Sequence, residues 1–193
     1  MNYLAHLLLA GDDPGIQVGQ VLADLVRAPD IPALPPRIRA GIRSHQRIDA
    51  YADTHREFAV ARRRLRPPYR RFAGVLLDVY FDHFLARAWD RHGNGMPLDE
   101  FADSRYRVLR RFIDLPSQRY RNVVEAMERD NWLAGYSHLS GVDRALRGIA
   151  RRCSRPNPLA SGVSVLEDLY EPLRSDFERF FPELKEYSAT HCE

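Results

Sequence analysis

The chain predicts an all-α, single-domain helical bundle. Apolar residues recur at helical spacing from end to end, and no alternating Val, Ile and Thr runs joined by hairpin turns interrupt them. Prolines and glycines gather in short breaks between stretches of helix length. The 193 residues fit one domain, residues 1–193, with a core large enough to need no staples.

The elements follow in order. The opening MNYLAHLLLAGDD lacks a basic leader and a small-residue cleavage pattern, and His6 interrupts its apolar run, so it reads as structure. Residues 14–27 place Val18, Val21, Leu22, Leu25 and Val26 on one stripe of a helix, with Asp24 at its border. Prolines 29, 32, 35 and 36 end that helix in a loop. A second helix starts near Pro36, carries Ile38, Ile42, His45 and Asp49, and runs to about Asp53. Pro67 and Pro68 separate an arginine cluster from a long core helix that reaches about Arg91, where HGNGMP stops it. Helical spacing resumes over Leu98–Ile113, and another helix follows Pro116 with Ser117 as its N-cap. The stretch Trp132–Cys153 is helical beyond Gly141, and Arg155–Gly162 is a second break. A last helix covers about Val163–Glu186, with Pro172 and Pro182 as sites of kinking or division.

Composition narrows the function classes. Cys153 and Cys192 match no thiolate metal spacing and suggest no disulfide framework, which points to a reducing cytoplasm. No stretch approaches the ~20 apolar residues of a membrane span. Net charge is only +3, and Lys185 is the only lysine. Arg62, Arg63, Arg64, Arg66, Arg70 and Arg71, with Arg56 upstream, are offset locally by Glu57 alone. That cluster suits docking of an acidic partner; the alternative is a solvated helical surface. Modest charge and the lack of a recognition motif argue against nucleic acid.

The chemistry concentrates in the first half. FAGVLLDVYFDHFLA, residues 72–86, is apolar except for Asp78, Asp82 and His83, and holds no basic residue to pair with them. Buried carboxylates are normally paired or bound to a metal. On a helix Asp78 and Asp82 share a face, with His83 about 100° further round; the alternative reading turns both carboxylates to solvent at a helix edge. His45 and Asp49, four apart, also share a face, whereas Arg47 lies on the opposite side of an ideal helix. With Asp24, these groups come from three helices that can converge on one ion of the hard or borderline divalent class.

MNYLAH at the start, GQVLADLVR at 19–27, HQRID at 45–49 and LDVYFDHFL at 77–85 together resemble the acyl carrier protein phosphodiesterase family, itself distantly similar to HD-type metal phosphohydrolases. The order of motifs covers essentially the whole chain, with the specific matches inside residues 1–90. Two departures stand out. Gln20 occupies a position where the family usually has Asn, and the adjacent His-Asp doublet of the HD class is replaced by separated His45 and Asp49 and a reversed Asp82-His83.

The resemblance implies hydrolysis of the phosphodiester that joins 4′-phosphopantetheine to the serine of holo-acyl carrier protein, with Mn²⁺ as cofactor and Mg²⁺ or Fe²⁺ as alternatives. Within it, Asp24, His45, Asp49 and Asp78 are expected as metal ligands. Asp82 and His83 are expected as a further ligand, an orienting group or the acid for the departing serine oxygen. His6, Arg27 and Arg47 are expected near the phosphate, and Arg62, Arg63 and Arg64 at the carrier-protein surface. Two other functions fit the residues: hydrolysis of a nucleotide or other small phosphodiester, and a non-catalytic helical module for an acidic partner.

Overall fold

The computed structural model describes residues 1–115 and 117–191, and among them it contains helices and turns but no strand. Pro116, read above as a helix boundary, and Cys192 lie outside the described residues. Helix α1 spans Tyr3–Leu9, α2 Pro14–Leu22, α3 Pro36–Thr54 and α4 Arg56–Arg64. Then come α5 Ala73–Arg87, α6 Trp89–His92, α7 Leu98–Arg111 and α8 Gln118–Arg129. The chain closes with α9 Trp132–Gly135, α10 Leu139–Arg152, α11 Gly162–Asp168 and α12 Tyr170–His191. Short 3₁₀ turns at Ala28–Ala33, Tyr69–Phe72 and Leu159–Ser161 fill proline-rich links.

Caps fix several boundaries. Asp13 accepts the Ile16 N–H at 2.9 Å with Pro14 opening α2, and Ser117 accepts the Tyr120 N–H at 3.2 Å to start α8. Three boundaries differ from the sequence expectation. Helix α2 ends at Leu22, because the N–H groups of Leu25 and Val26 both turn back to the Leu22 carbonyl, at 2.8 and 3.0 Å. Asp24 therefore sits in the turn beyond the helix. The long core helix breaks at Ala88 into α5 and α6, and the last helix divides at Leu169. Pro172 falls in the first turn of α12, where its missing N–H costs nothing, and Pro182 is carried inside that helix.

Helix α5 runs through the middle of the bundle and packs against α1, α4, α10 and α12. Its Phe81 and Phe84 meet Phe58 of α4 and Phe177 and Phe180 of α12 in a fully buried aromatic cluster. Asp176 of α12 is buried beside this cluster and binds Arg64 through two bonds of 2.6 and 3.1 Å, with Arg179 at 2.7 Å. These charges tie α4 to α12.

Helices α2 and α3 cross almost backbone to backbone. A Cβ on Gly19 would strike the Ile38 carbonyl and lie 2.6 Å from Gly41 Cα, so glycine is required at the crossing. Glycine at both 19 and 41 brings Gln20 within reach of Ser44 and His45, one turn further along α3.

Candidate metal centre

Five segments build the site. Helix α1 presents His6, α2 presents Gln20, the turn after it presents Asp24, and α3 presents His45 and Asp49 from one face. Asp78 approaches from α5. His6 and His45 are buried, whereas Asp24 and Asp49 keep 60 % and 41 % of their side-chain surface. The centre is thus closed on the imidazole side and open on the carboxylate side.

Asp49 stands between the two imidazoles. Its Oδ1 lies 3.2 Å from His6 Nε2 and its Oδ2 lies 3.1 Å from His45 Nε2. Asp24 Oδ1 is 3.5 Å from the same His45 nitrogen. Ligand atoms of His6, His45 and Asp49 all fall within 4.8 Å of one another. The α-ammonium of Met1 bridges Asp49 and Asp78, at 3.2 and 3.0 Å, and so links the third carboxylate to the group.

Gln20 fixes both rings. His6 Nδ1 bonds the Gln20 Oε1 at 2.9 Å, while the Gln20 amide donates to Ser44 Oγ at 2.8 Å, which sets the amide's orientation. The backbone carbonyl of Gln20 accepts from His45 Nδ1 at 2.9 Å. An amide oxygen and a carbonyl accept only, so each ring carries hydrogen on Nδ1 and turns Nε2 toward Asp49. His6 Nε2 is buried and makes no hydrogen bond. A bare nitrogen lone pair facing a carboxylate oxygen is repulsive unless a cation lies between them, so the donor set fits a divalent ion.

The titration pattern agrees. Burial, reinforced by neighbouring His45, lowers the His6 pKa to about 4. Burial also opposes charge on His45, but contacts with Asp24 and Asp49 outweigh it and raise the pKa to about 9. Asp49 is held well below the carboxylate range, because its bonds to His45 and His6 and the charge of the α-ammonium outweigh its burial. In the absence of metal the proton on His45 and the α-ammonium of Met1 supply the site's positive charge.

Other residues singled out in the sequence are used elsewhere. Asp82 is fully buried and accepts the N–H groups of Leu4 and Ala5 at 2.7 and 3.2 Å, which pins the start of α1 to α5. His83 points away from the centre, to the Tyr136 carbonyl at 2.7 Å and the Tyr170 hydroxyl at 2.9 Å. One residue of offset on α5 is enough to turn it to a different neighbour. Arg27 pairs with Asp30 at 2.9 Å on the surface, and Arg47 donates to the His191 carbonyl at 2.6 Å, so neither is brought to the ligand atoms. Within the basic cluster, Arg62 pairs with Asp53 at 2.6 Å and Arg64 with Asp176, while Arg63, Arg66, Arg70 and Arg71 pair with no carboxylate among the described residues.

Fold and site together define an all-helical protein with a histidine–carboxylate centre on an open groove. The chain belongs to the acyl carrier protein phosphodiesterase family, whose sequence profile matches residues 1–184. It is 35% identical over 190 residues to the acyl carrier protein phosphodiesterase of Escherichia coli O6:H1, covering 98% of each chain. It is 36% identical over 186 residues to that of Klebsiella pneumoniae strain 342 and 35% identical over 184 residues to that of Enterobacter sp. strain 638, covering 95% of each chain in both cases. No solved structure matches.

Proposed function

We propose that this chain is a metal-dependent phosphodiesterase that releases 4′-phosphopantetheine from the serine of holo-acyl carrier protein. Family membership supports the substrate. The observation that carries the chemistry is the pair of Nε2 atoms, His6 and His45, facing the two oxygens of Asp49.

His6, His45 and Asp49, whose ligand atoms lie together, would hold the ion, with Asp24 and Asp78 beside it on the open side. Mixed imidazole and carboxylate donors suit Mn²⁺, with Fe²⁺ and Mg²⁺ as alternatives. Such an ion supplies Lewis-acid polarisation of a phosphoryl oxygen and of water. The protein's part is to place the diester. Water adds to phosphorus, the bond from phosphorus to the serine oxygen breaks, and that oxygen takes up a proton, leaving apo-carrier and a phosphate monoester. Asp24, at the open edge beside His45, is placed to receive the proton of the attacking water. Asp78, whose pKa burial raises above the ordinary carboxylate value despite the α-ammonium, suits the acid that protonates the serine oxygen. Asp82 and His83 act as positioning residues for α1 and for the core.

For the partner, the free arginines Arg63, Arg66, Arg70 and Arg71 form a basic surface that fits an acidic carrier protein. That surface includes Val75, which also lines the groove at Asp24 and Asp78, so a docked carrier stands beside the centre. No helix of the described residues is long and apolar enough to cross a membrane, and with the cysteine pattern this supports action in the cytoplasm. Incubation of holo-carrier with the protein and Mn²⁺, read by intact mass, tests the reading. Loss of the 4′-phosphopantetheine mass that stops with chelator is the expected result; full release in chelator defeats the metal mechanism, and no release with Mn²⁺ present defeats the substrate.

A further inference from the structure

A groove leaves the centre at Asp24 and Asp78 and runs between α1, α8, α9 and α10. Its near part has a volume of about 470 Å³ and its far part, beyond Tyr3 and Trp132, about 320 Å³; the two share the wall made by Asn2, Tyr3, Ala126, Trp132, Ile149 and Arg152. Either part is in the range of small-ligand sites, ~300–1,000 Å³. We propose that this groove seats the pantetheine arm of the substrate, with Arg119 and Arg152 holding its phosphate beside the carboxylates.

Charge supports the polarity of the arrangement. Asp24 and Asp78 line the groove's near end together with Arg119 and Arg152, and the Tyr3 hydroxyl lies in the field of Asp24 and of both arginines. Neither arginine pairs with a carboxylate among the described residues, whereas Arg27 and Arg47, the arginines next to the metal motifs in sequence, are both engaged elsewhere. An unpaired guanidinium in a groove that ends at a cation site is suited to bind a phosphodiester by two oxygens at once.

Shape and lining support the arm. Tyr3 stacks on Trp132 with ring centres 6.4 Å apart and, with Ile149, gives an apolar wall for a branched aliphatic chain. Tyr3 and Tyr136 line the groove, and the hydroxyl of the half-buried Tyr3, without a hydrogen-bond partner among the described residues, can meet an amide of the arm. The far part is open because α10 carries glycine at 148. A Cβ there would meet nothing closer than Arg152 Nη1 at 4.0 Å, so a large side chain would occupy the groove and not the core.

This inference rests on the phosphodiesterase reading, and its test is separable from it. Binding of pantetheine 4′-phosphate and of inorganic phosphate to the Mn²⁺-loaded protein is measured by calorimetry, for wild type, Gly148→Phe and Arg152→Glu. Gly148→Phe should weaken pantetheine 4′-phosphate at least tenfold and inorganic phosphate by much less, the new ring standing beside the Arg152 side chain; Arg152→Glu, an exposed position that does not threaten folding, should weaken both at least tenfold. Unchanged affinity of pantetheine 4′-phosphate for either folded variant overturns the groove assignment. Equal loss of both ligands in Gly148→Phe also overturns it, since that would place residue 148 at the phosphate and not along the arm. Should Gly148→Phe not fold, Arg152→Glu alone decides. A wild type that binds pantetheine 4′-phosphate yet releases none from holo-carrier sinks the proposed activity and leaves the groove standing.

Discussion

The imidazoles of His6 and His45 are stacked, with ring centres 3.9 Å apart and planes 9° from parallel, and both turn Nε2 to the same carboxylate, Asp49. Two protonated rings could not stack this way, and two neutral ones would repel Asp49. One proton, on His45, relieves its own contact with Asp49, whereas one metal ion shared by both Nε2 atoms relieves both.

Metal uptake should therefore release a proton. His6, at about 4, is already neutral at pH 7, but His45, at about 9, must deprotonate to ligate. Apparent Mn²⁺ affinity should rise roughly tenfold per pH unit through neutrality and level off above about 9. Calorimetry in two buffers of different ionisation heat at pH 7 counts the protons; a value near zero would remove His45 from the ligand set. Linkage gives the matching sign for stability. The raised pKa of His45 stabilises the metal-free fold fully below its ordinary value of 6.5, and that contribution is lost as pH rises through about 9.

Gln20→Met should keep the fold and lose metal. Methionine preserves length but removes the acceptor that holds His6 Nδ1 and the donor to Ser44. The ring is then free to turn or change tautomer, and loss of such an orienting partner costs about 10- to 100-fold in affinity. The backbone bond to His45 survives, so the loss should fall short of that in His6→Ala. Mn²⁺ titration of both variants checks the order; equal affinity of Gln20→Met and wild type would show that the amide does not orient the ligand.

Asp82→Ala and Asp49→Asn should separate structure from chemistry. Removing Asp82 strands two buried N–H groups at the start of α1, at a cost of about 1–3 kcal/mol for each unsatisfied donor, and loosens the helix that carries His6. Its unfolding midpoint in urea should fall. Asp49→Asn keeps the shape of its side chain, which is 41 % exposed, but removes the charge that partners His45 and the α-ammonium, so Mn²⁺ binding should be lost with a modest fall in stability. An Asp82→Ala protein as stable as wild type would contradict the anchoring role.

The helices were legible because burial imposes a 3.6-residue period on every one of them, and prolines marked the breaks. Residues on one element were also legible: His45 and Asp49 project together because four residues make about one turn. What sequence spacing does not carry is the register between elements. The ligand position of His6 depends on how α1 is pinned by Asp82, and the double role of Gln20 depends on the glycine crossing at 19 and 41. Glycine at 19 and 41, each inside a stretch of helical spacing, was the available signal, since a glycine in a helix interior points to a close approach. His83 misled because a buried histidine next to an acidic residue resembles a ligand until the carbonyl that satisfies it, Tyr136, is placed from another helix.

The basic cluster should divide into arginines that stabilise and arginines that dock. Arg64 reaches a fully buried carboxylate, so Arg64→Ala leaves Asp176 with Arg179 alone and should cost about 3 kcal/mol, near the low end for breaking a buried pair. Arg63 and Arg70 are exposed and without a carboxylate, so Arg63→Glu with Arg70→Glu should leave the melting temperature within a degree or two. Their effect should appear instead as a several-fold higher KM for carrier protein with kcat little changed, because steering acts on encounter. The penalty should shrink as salt rises from low ionic strength to about 0.15 M and beyond, since exposed charges are screened over about 8 Å there. A KM that does not move in the double variant at low salt would take the carrier off this surface, and a loss of kcat with unchanged KM would place these side chains at the reacting centre instead.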